Sequence, residues 1–264
     1  VLTNPRSPRV RAVAKLAKRS ARRDTGLYLL EGPQAVREAL DSAPDVVTEV
    51  YATEGALERN RDIVTALTDA GLRADIAEER VVAAMADTVT PQGIIAVARQ
   101  RPASLDDVLS RGPKLVAICH EIRDPGNLGT IIRVADASGA DAVILTGDTV
   151  DPYNPKAVRS TTGSLFHIPI VMGAELSDAA AATQRAGLRV LAADVGGDDL
   201  MAVRAELAAP TAWLFGNEAR GLDSEALAFA DRALRLPIYG RAESLNLATA
   251  ASVCLYESAF AQRT

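Results

Sequence analysis

Six short apolar runs in the second half of the chain, LVAIC, AVILTG, HIPIVM, RVLAAD, AWLFG and ALRLPI, lack the polar alternation of a strand with one wet face. Most are followed by a stretch with helical periodicity. A strand that is apolar on both sides must be covered on both sides, and helices returning between successive strands supply that cover. The pattern predicts a parallel sheet with helices on both faces. In open sheets of this kind ligands bind outside the carboxyl ends of the strands, so chemistry is expected in the loops after these runs.

The first half alternates as well. YLLEG (28–32), VTEVYAT, RADIAE and GIIAVARQ read as strands. Between them PQAVREAL, with proline at the first helical position, LERNRDIVTALTDAG, closed by Gly71, and EERVVAAMAD read as helices. This is the pattern of a small α/β domain of about 100 residues. The segment 100–113, with Pro102, Pro113 and several polar residues, is the linker by composition. It divides the chain near residue 105, into 1–105 and 106–264.

The net charge of −5 conceals an asymmetry. Residues 1–23 hold eight basic side chains and no acid, leaving 21 basic against 34 acidic residues in the remainder. A segregated basic leader can neutralise phosphates and release their counterions, which favours a nucleic acid as partner, with Arg19 and Arg22 as candidate contacts. The same leader also fits an amphipathic helix with Val10, Val13, Leu16 and Ala17 on its apolar stripe. Cys119 and Cys254 lie in apolar runs without CxxC spacing, and only His120 and His167 accompany them, so neither a disulfide nor a metal centre is expected. No apolar run is long enough to span a membrane and no signal peptide is visible, which makes the cytoplasm the expected compartment.

Three loops stand out. DPGNLGTIIRVADASGA (124–140) follows the first apolar run. Its glycines do not satisfy G-x-G-x-x-G and the chain has no P-loop, which argues against a dinucleotide or nucleoside-triphosphate site. Asn127 reads as the cap of a helix whose buried stripe is Leu128, Ile131, Ile132 and Ala135, leaving Arg133 on the opposite side, within reach of Asp136. LFGNEARGL (214–222) sets Asn217 and Glu218 at a strand end, with Gly221 free to reverse the backbone. LPIYGRAESLNLATAA runs from a strand through Gly240, Arg241 and Glu243 into a helix that Ser244 or Asn246 can cap. Taken singly, each loop fits an ordinary turn as well as a site.

In this order, Asn127-x-Gly129-x-x-x-Arg133, Phe215-Gly216-Asn217-Glu218 with Gly221, and Pro237, Gly240 and Ser244-Leu245-Asn246 resemble the three motifs of the SpoU, or TrmH, branch of the SPOUT RNA methyltransferases. YLLEGPQAVREAL is similar to the start of that family's substrate-binding domain, so the resemblance spans about residues 24–262. It implies an N-terminal α/β RNA-binding domain followed by a catalytic domain with a deep trefoil knot. It also implies a homodimer, and S-adenosylmethionine as donor of a methyl group to a ribose 2'-hydroxyl. Structured RNA is the partner it implies, 23S ribosomal RNA before transfer RNA. A non-catalytic role in ribosome assembly is the alternative, and AESLN also resembles the thiostrepton-resistance methyltransferases. Carried onto this chain, the resemblance gives Arg133 the activation or placement of the hydroxyl, and Asn127, Glu218, Ser244 and Asn246 the loops around it. Gly216, Leu236, Leu245 and Ala193 become cofactor positions and Arg159 a candidate RNA phosphate contact.

Overall fold

The basic leader is an integral part of the first folded unit in the computed structural model, which describes residues 1–263. Leu2 donates to the carbonyl of Ile76 and accepts from the amide of Glu78, extending the sheet edge. Helix α1 (Pro8–Lys15) begins with Ser7 as cap and Pro8 in its first turn, and its Val10 and Val13, together with Leu16, are buried in a cluster with Val81, Val82 and Met85. The apolar stripe expected in the leader is thus its docking face. Helix α2 (Arg19–Thr25) ends at Gly26 in the left-handed conformation.

After β1 (Leu27–Glu31) and α3 (Pro33–Ser42) come β2 (Val47–Ala52), α4 (Glu54–Arg59), α5 (Arg61–Asp69), β3 (Ala74–Ile76), α6 (Glu79–Met85) and β4 (Ile94–Arg99). The sheet order is β1-β4-β2-β3, with β4 antiparallel to both neighbours and β2 parallel to β3. The single helix expected over 57–71 is divided at Asn60, whose side-chain amide donates to the carbonyl of Ala56 at 2.8 Å and so competes with the helical ladder.

The second half contains α7 (Leu105–Leu109), inside the segment read as linker, then β5 (Leu115–His120), α8 (Pro125–Ala137) and β6 (Ala142–Thr146). Helix α9 (Pro155–Thr161) precedes β7 (Ile170–Ala174), α10 (Leu176–Arg185), β8 (Arg189–Asp199), β9 (Thr211–Phe215), α11 (Ser224–Leu227), β10 (Arg232–Arg235) and α12 (Leu247–Arg263). All six apolar runs are strands of one parallel sheet, ordered β10-β8-β9-β5-β6-β7. One face buries Val116, Ile144, Val190 and Leu214 against Leu176, Ala179 and Ala180 of α10. On the other, the indole N–H of Trp213 in β9 donates to Ser258 Oγ of α12 at 2.9 Å, which satisfies a fully buried donor. The expected two-sided cover is therefore present.

The compact units do not follow a single cut at 105. One comprises Val1–Arg101 and Asp151–Phe166, and the other Pro102–Val150 and the described chain from His167 onwards. Specific long-range bonds hold 151–166 to the first unit. Arg22, 1% exposed, donates from Nε to Asp151 at 2.7 Å and from Nη1 to the carbonyls of Leu16 and Ala17 at 2.8 Å. The ring of Tyr153 lies 4.7 Å from that of Tyr28. These contacts correct one expectation for RNA binding. The guanidinium of Arg22 is consumed inside the fold and faces no phosphate. Arg159 bridges Glu31 at 3.0 Å and Asp87 at 3.1 Å within the same unit, with about a third of its side chain exposed. Arg19 lies on the exposed side of α2.

Candidate active site

The three loops converge outside the carboxyl ends of β5 and β9. At the first, Asp124 rather than Asn127 caps α8: its Oδ1 accepts from the amide of Asn127 at 2.8 Å, and Pro125 occupies the first turn. That corrects the expected cap and explains what Asn127 is for. Standing in the first turn instead of before it, Asn127 keeps its side-chain amide for partners in the other two loops.

The second loop is a tight reversal. Asn217 and Gly221 exchange backbone hydrogen bonds of 3.1 and 2.9 Å, and Gly221 has φ +66°. Asn217 Oδ1 accepts from the amides of Ala219 and Arg220, while its Nδ2 donates to the carbonyl of Glu121 at 2.9 Å. Gly216, fully buried, lies so close beneath the turn that a β-carbon there would be 2.7 Å from the backbone of Gly221. Gly216→Ala is expected to force this turn outward at a cost of about 1–3 kcal/mol, read as a lower melting temperature together with weaker donor binding.

Glu218 then reaches back to the first loop. Its carboxylate accepts from the amides of Arg123 at 3.0 Å and Asp124 at 2.9 Å, and from Asn127 Nδ2 at 3.4 Å. From the third loop Asn246 caps α12, accepting from the amides of Ala248 and Thr249, and donates from Nδ2 to Asn127 Oδ1 at 3.1 Å. One relay of hydrogen bonds, Asn246 to Asn127 to Glu218 to the amide of Asp124, thus ties three loops separated by up to 119 residues.

Beside this relay lies a cleft of about 590 Å³ whose walls include Ala193, Glu218, Leu236, Ser244 and Leu245. Ala193 reaches it because β8 leaves register: β10 pairs with Ala192 and next with Asp198, so the intervening residues loop out of the ladder. The bulge depends on Gly197, where a β-carbon would be 2.4 Å from the backbone of Ala233. Gly216 shapes the cleft from below without forming its wall. Arg133 is exposed on α8, more than a turn beyond Asn127, and is not part of the cleft wall. Among the described residues it makes no hydrogen bond or ion pair, and Asp136, the partner expected for it, instead meets His167 at 2.9 Å. Cys119 is buried close to the relay, with its thiol pushed up by burial and by the Glu218 carboxylate, so it supplies no thiolate nucleophile. Asn217 and Glu121 were not predicted as site residues; the signal available for Asn217 was an asparagine at a strand end four residues before a glycine.

The SpoU rRNA Methylase family matches residues 114–256, and RNA 2'-O ribose methyltransferase substrate binding matches residues 29–103. The chain belongs to the SpoU rRNA methylase family. It is 34% identical over 257 residues to the 23S rRNA (guanosine(2553)-2'-O)-methyltransferase RlmP of Bacillus subtilis, covering 97% of each chain. It is 31% identical to the 23S rRNA (uridine(2479)-2'-O)-methyltransferase of Streptomyces viridochromogenes, covering 93% of this chain and 86% of that one. The crystal structure of an AdoMet-bound rRNA methyltransferase from Sinorhizobium meliloti superposes with a TM-score of 0.85 at 32% identity, covering 97% and 96%. As a SpoU enzyme the chain is an RNA ribose 2'-O-methyltransferase of the SPOUT fold, with S-adenosylmethionine as its methyl donor.

The cleft fits that donor. Its volume lies in the ordinary range for a small-molecule site, about 300–1,000 Å³. Its walls combine the apolar Ala193, Leu236 and Leu245 with the acids Asp194 and Glu243 and the cations Arg220 and Arg235, which suits a molecule that carries a flat aromatic base, two cationic centres and a carboxylate.

Proposed function

We propose that this enzyme methylates a ribose 2'-hydroxyl of 23S ribosomal RNA, with Arg133 activating or placing that hydroxyl. The relay from Asn246 through Asn127 to Glu218 carries the reading, since it makes one site of three loops that have no common purpose otherwise. Bound in the cleft, S-adenosylmethionine supplies an electrophilic methyl on a good leaving group. The chain's own work is then placement and charge. Ala193, Leu236 and Leu245 hold the donor, Gly216 keeps the turn beside it tight, Ser244 lies at the cleft wall, and Asn127, Glu218 and Asn246 fix the loops. A guanidinium whose pKa exceeds about 12 is a reluctant base but a strong donor of hydrogen bonds to oxygen that gains negative charge. The basic side chains Arg11, Lys15, Lys18, Arg19 and Arg23, exposed on the leader, support phosphate contacts that carry no sequence information. A ribosomal substrate places the enzyme in the cytoplasm.

A homodimer through the catalytic domain is part of this reading. Helix α12 exposes Val253, Tyr256 and Phe260, spaced to lie on one face, at 40%, 36% and 56%. Arg133 belongs to α8, the helix against which α12 packs, and lies outside its own chain's cleft wall. That supports a site completed by a second copy. Phe260→Asp is expected to turn a dimer into a monomer in sedimentation and to lower activity with it.

Incubation with labelled S-adenosylmethionine and separated RNAs tests the substrate. Label confined to 23S RNA is expected. Label in transfer RNA would reassign the substrate, and RNA binding without any transfer would favour an assembly factor.

A further inference from the structure

We propose that Glu121 is a positioning residue for the donor cleft, bracing the 217–221 turn from the end of β5. The proposal rests on the reading of the cleft as the donor site. Glu121 is one of two non-glycine residues with positive φ among the described residues, at +52°. Its conformation is fixed from three sides. Its amide donates to the carbonyl of Thr146 at 3.2 Å, its carbonyl accepts from Asn217 Nδ2 at 2.9 Å, and its Cγ packs where a β-carbon on Gly147 would be 3.0 Å away. Its carboxylate accepts from Arg220 Nη2 at 2.7 Å, and Arg220 is part of the cleft wall.

Stability alone does not account for glutamate here. The left-handed region costs a side chain that glycine would not pay, and an ion pair whose arginine is 70% exposed returns little. Glycine at 121 would keep both backbone bonds and lose only the grip on Arg220. What glutamate adds is therefore a fixed position for Arg220 and, with the Asn217 bond, a second point of attachment for the turn that carries Glu218. Strain held in place by its surroundings beside a ligand site is the signature of such a role.

The test compares Glu121→Gly and Glu121→Asn, both tolerant of the left-handed backbone and both unable to reach Arg220, with Glu121→Gln, whose amide oxygen still accepts from it. Calorimetry with S-adenosylmethionine on the wild type comes first; absence of binding overturns the cleft assignment and this proposal together. With binding established, the Gly and Asn variants are expected to weaken donor affinity by about fivefold and Gln to restore it within about twofold. The KM for RNA is expected to stay near wild type, and the melting temperature of Glu121→Gly to stay at or slightly above it, because the left-handed strain is relieved. Combining Glu121→Gly with Arg220→Gln is expected to add nothing to the larger single effect. Unchanged donor affinity in Glu121→Gly, or full additivity in the double variant, overturns the proposal.

Discussion

Arg133→Ala is expected to lower single-turnover methyl transfer by about 10²–10³-fold while donor affinity stays within about twofold. A ribose hydroxyl is a weak nucleophile at neutral pH, so the transfer step needs charge stabilisation as the proton departs, and Arg133 is the motif cation with no internal partner among the described residues. Its exposure and lack of partners also mean that its removal leaves no buried charge and no unpaired acceptor. The variant should therefore unfold at the wild-type temperature. Arg133→Lys keeps the charge but loses the planar fork, and a partial recovery of rate is expected from it. Wild-type turnover in Arg133→Ala would remove this residue from the mechanism.

Arg22→Ala is expected to act in the opposite way, through stability. It leaves the Asp151 carboxylate, 10% exposed, without its cation and strips the carbonyls of Leu16 and Ala17 of their donor. Breaking a buried pair from one side costs about 3–5 kcal/mol, which for a chain of this size is a fall of about 10 °C in melting temperature. Replacing both partners, as Arg22→Met with Asp151→Leu, is expected to cost much less, because no charge is then stranded. RNA affinity and its salt dependence supply the contrast. If Arg22 met a phosphate, the salt slope would fall by about one unit; with its guanidinium inside the fold, the slope measured on the folded double variant is expected to be unchanged.

How much of this was legible in sequence depended on whether the signal was local. Two-sided burial erases polar alternation, so the six strands and their parallel arrangement followed from the pattern of apolar runs and intervening helical periodicity. The expected apolar stripe of α8 is likewise the buried one. Motif residues that meet in space, Asn127, Glu218 and Asn246, were visible only as an ordered set through a family resemblance, since each also fits a cap or a turn. The misplaced cap had a local remedy: aspartate followed by proline at 124–125 is itself a strong start signal. Other features had no local signature. The return of 151–166 to the first unit rests on an ion pair between residues 129 apart, which no local pattern announces: the prolines at 152 and 155 mark a turn but not which unit the chain joins. The bulge that brings Ala193 to the cleft is a change of register, marked in sequence only by Gly196-Gly197. The knot implied by the SPOUT fold concerns the order in which segments pass one another, to which periodicity is blind.

The most direct test of the central claim is the chemistry of the modified nucleotide. RNA methylated by the enzyme, digested in alkali and mapped by mass spectrometry, is predicted to contain one 23S linkage that resists cleavage, because hydrolysis needs the free 2'-hydroxyl that the added methyl blocks. The methyl on a base, with every linkage cleaved, would contradict the account.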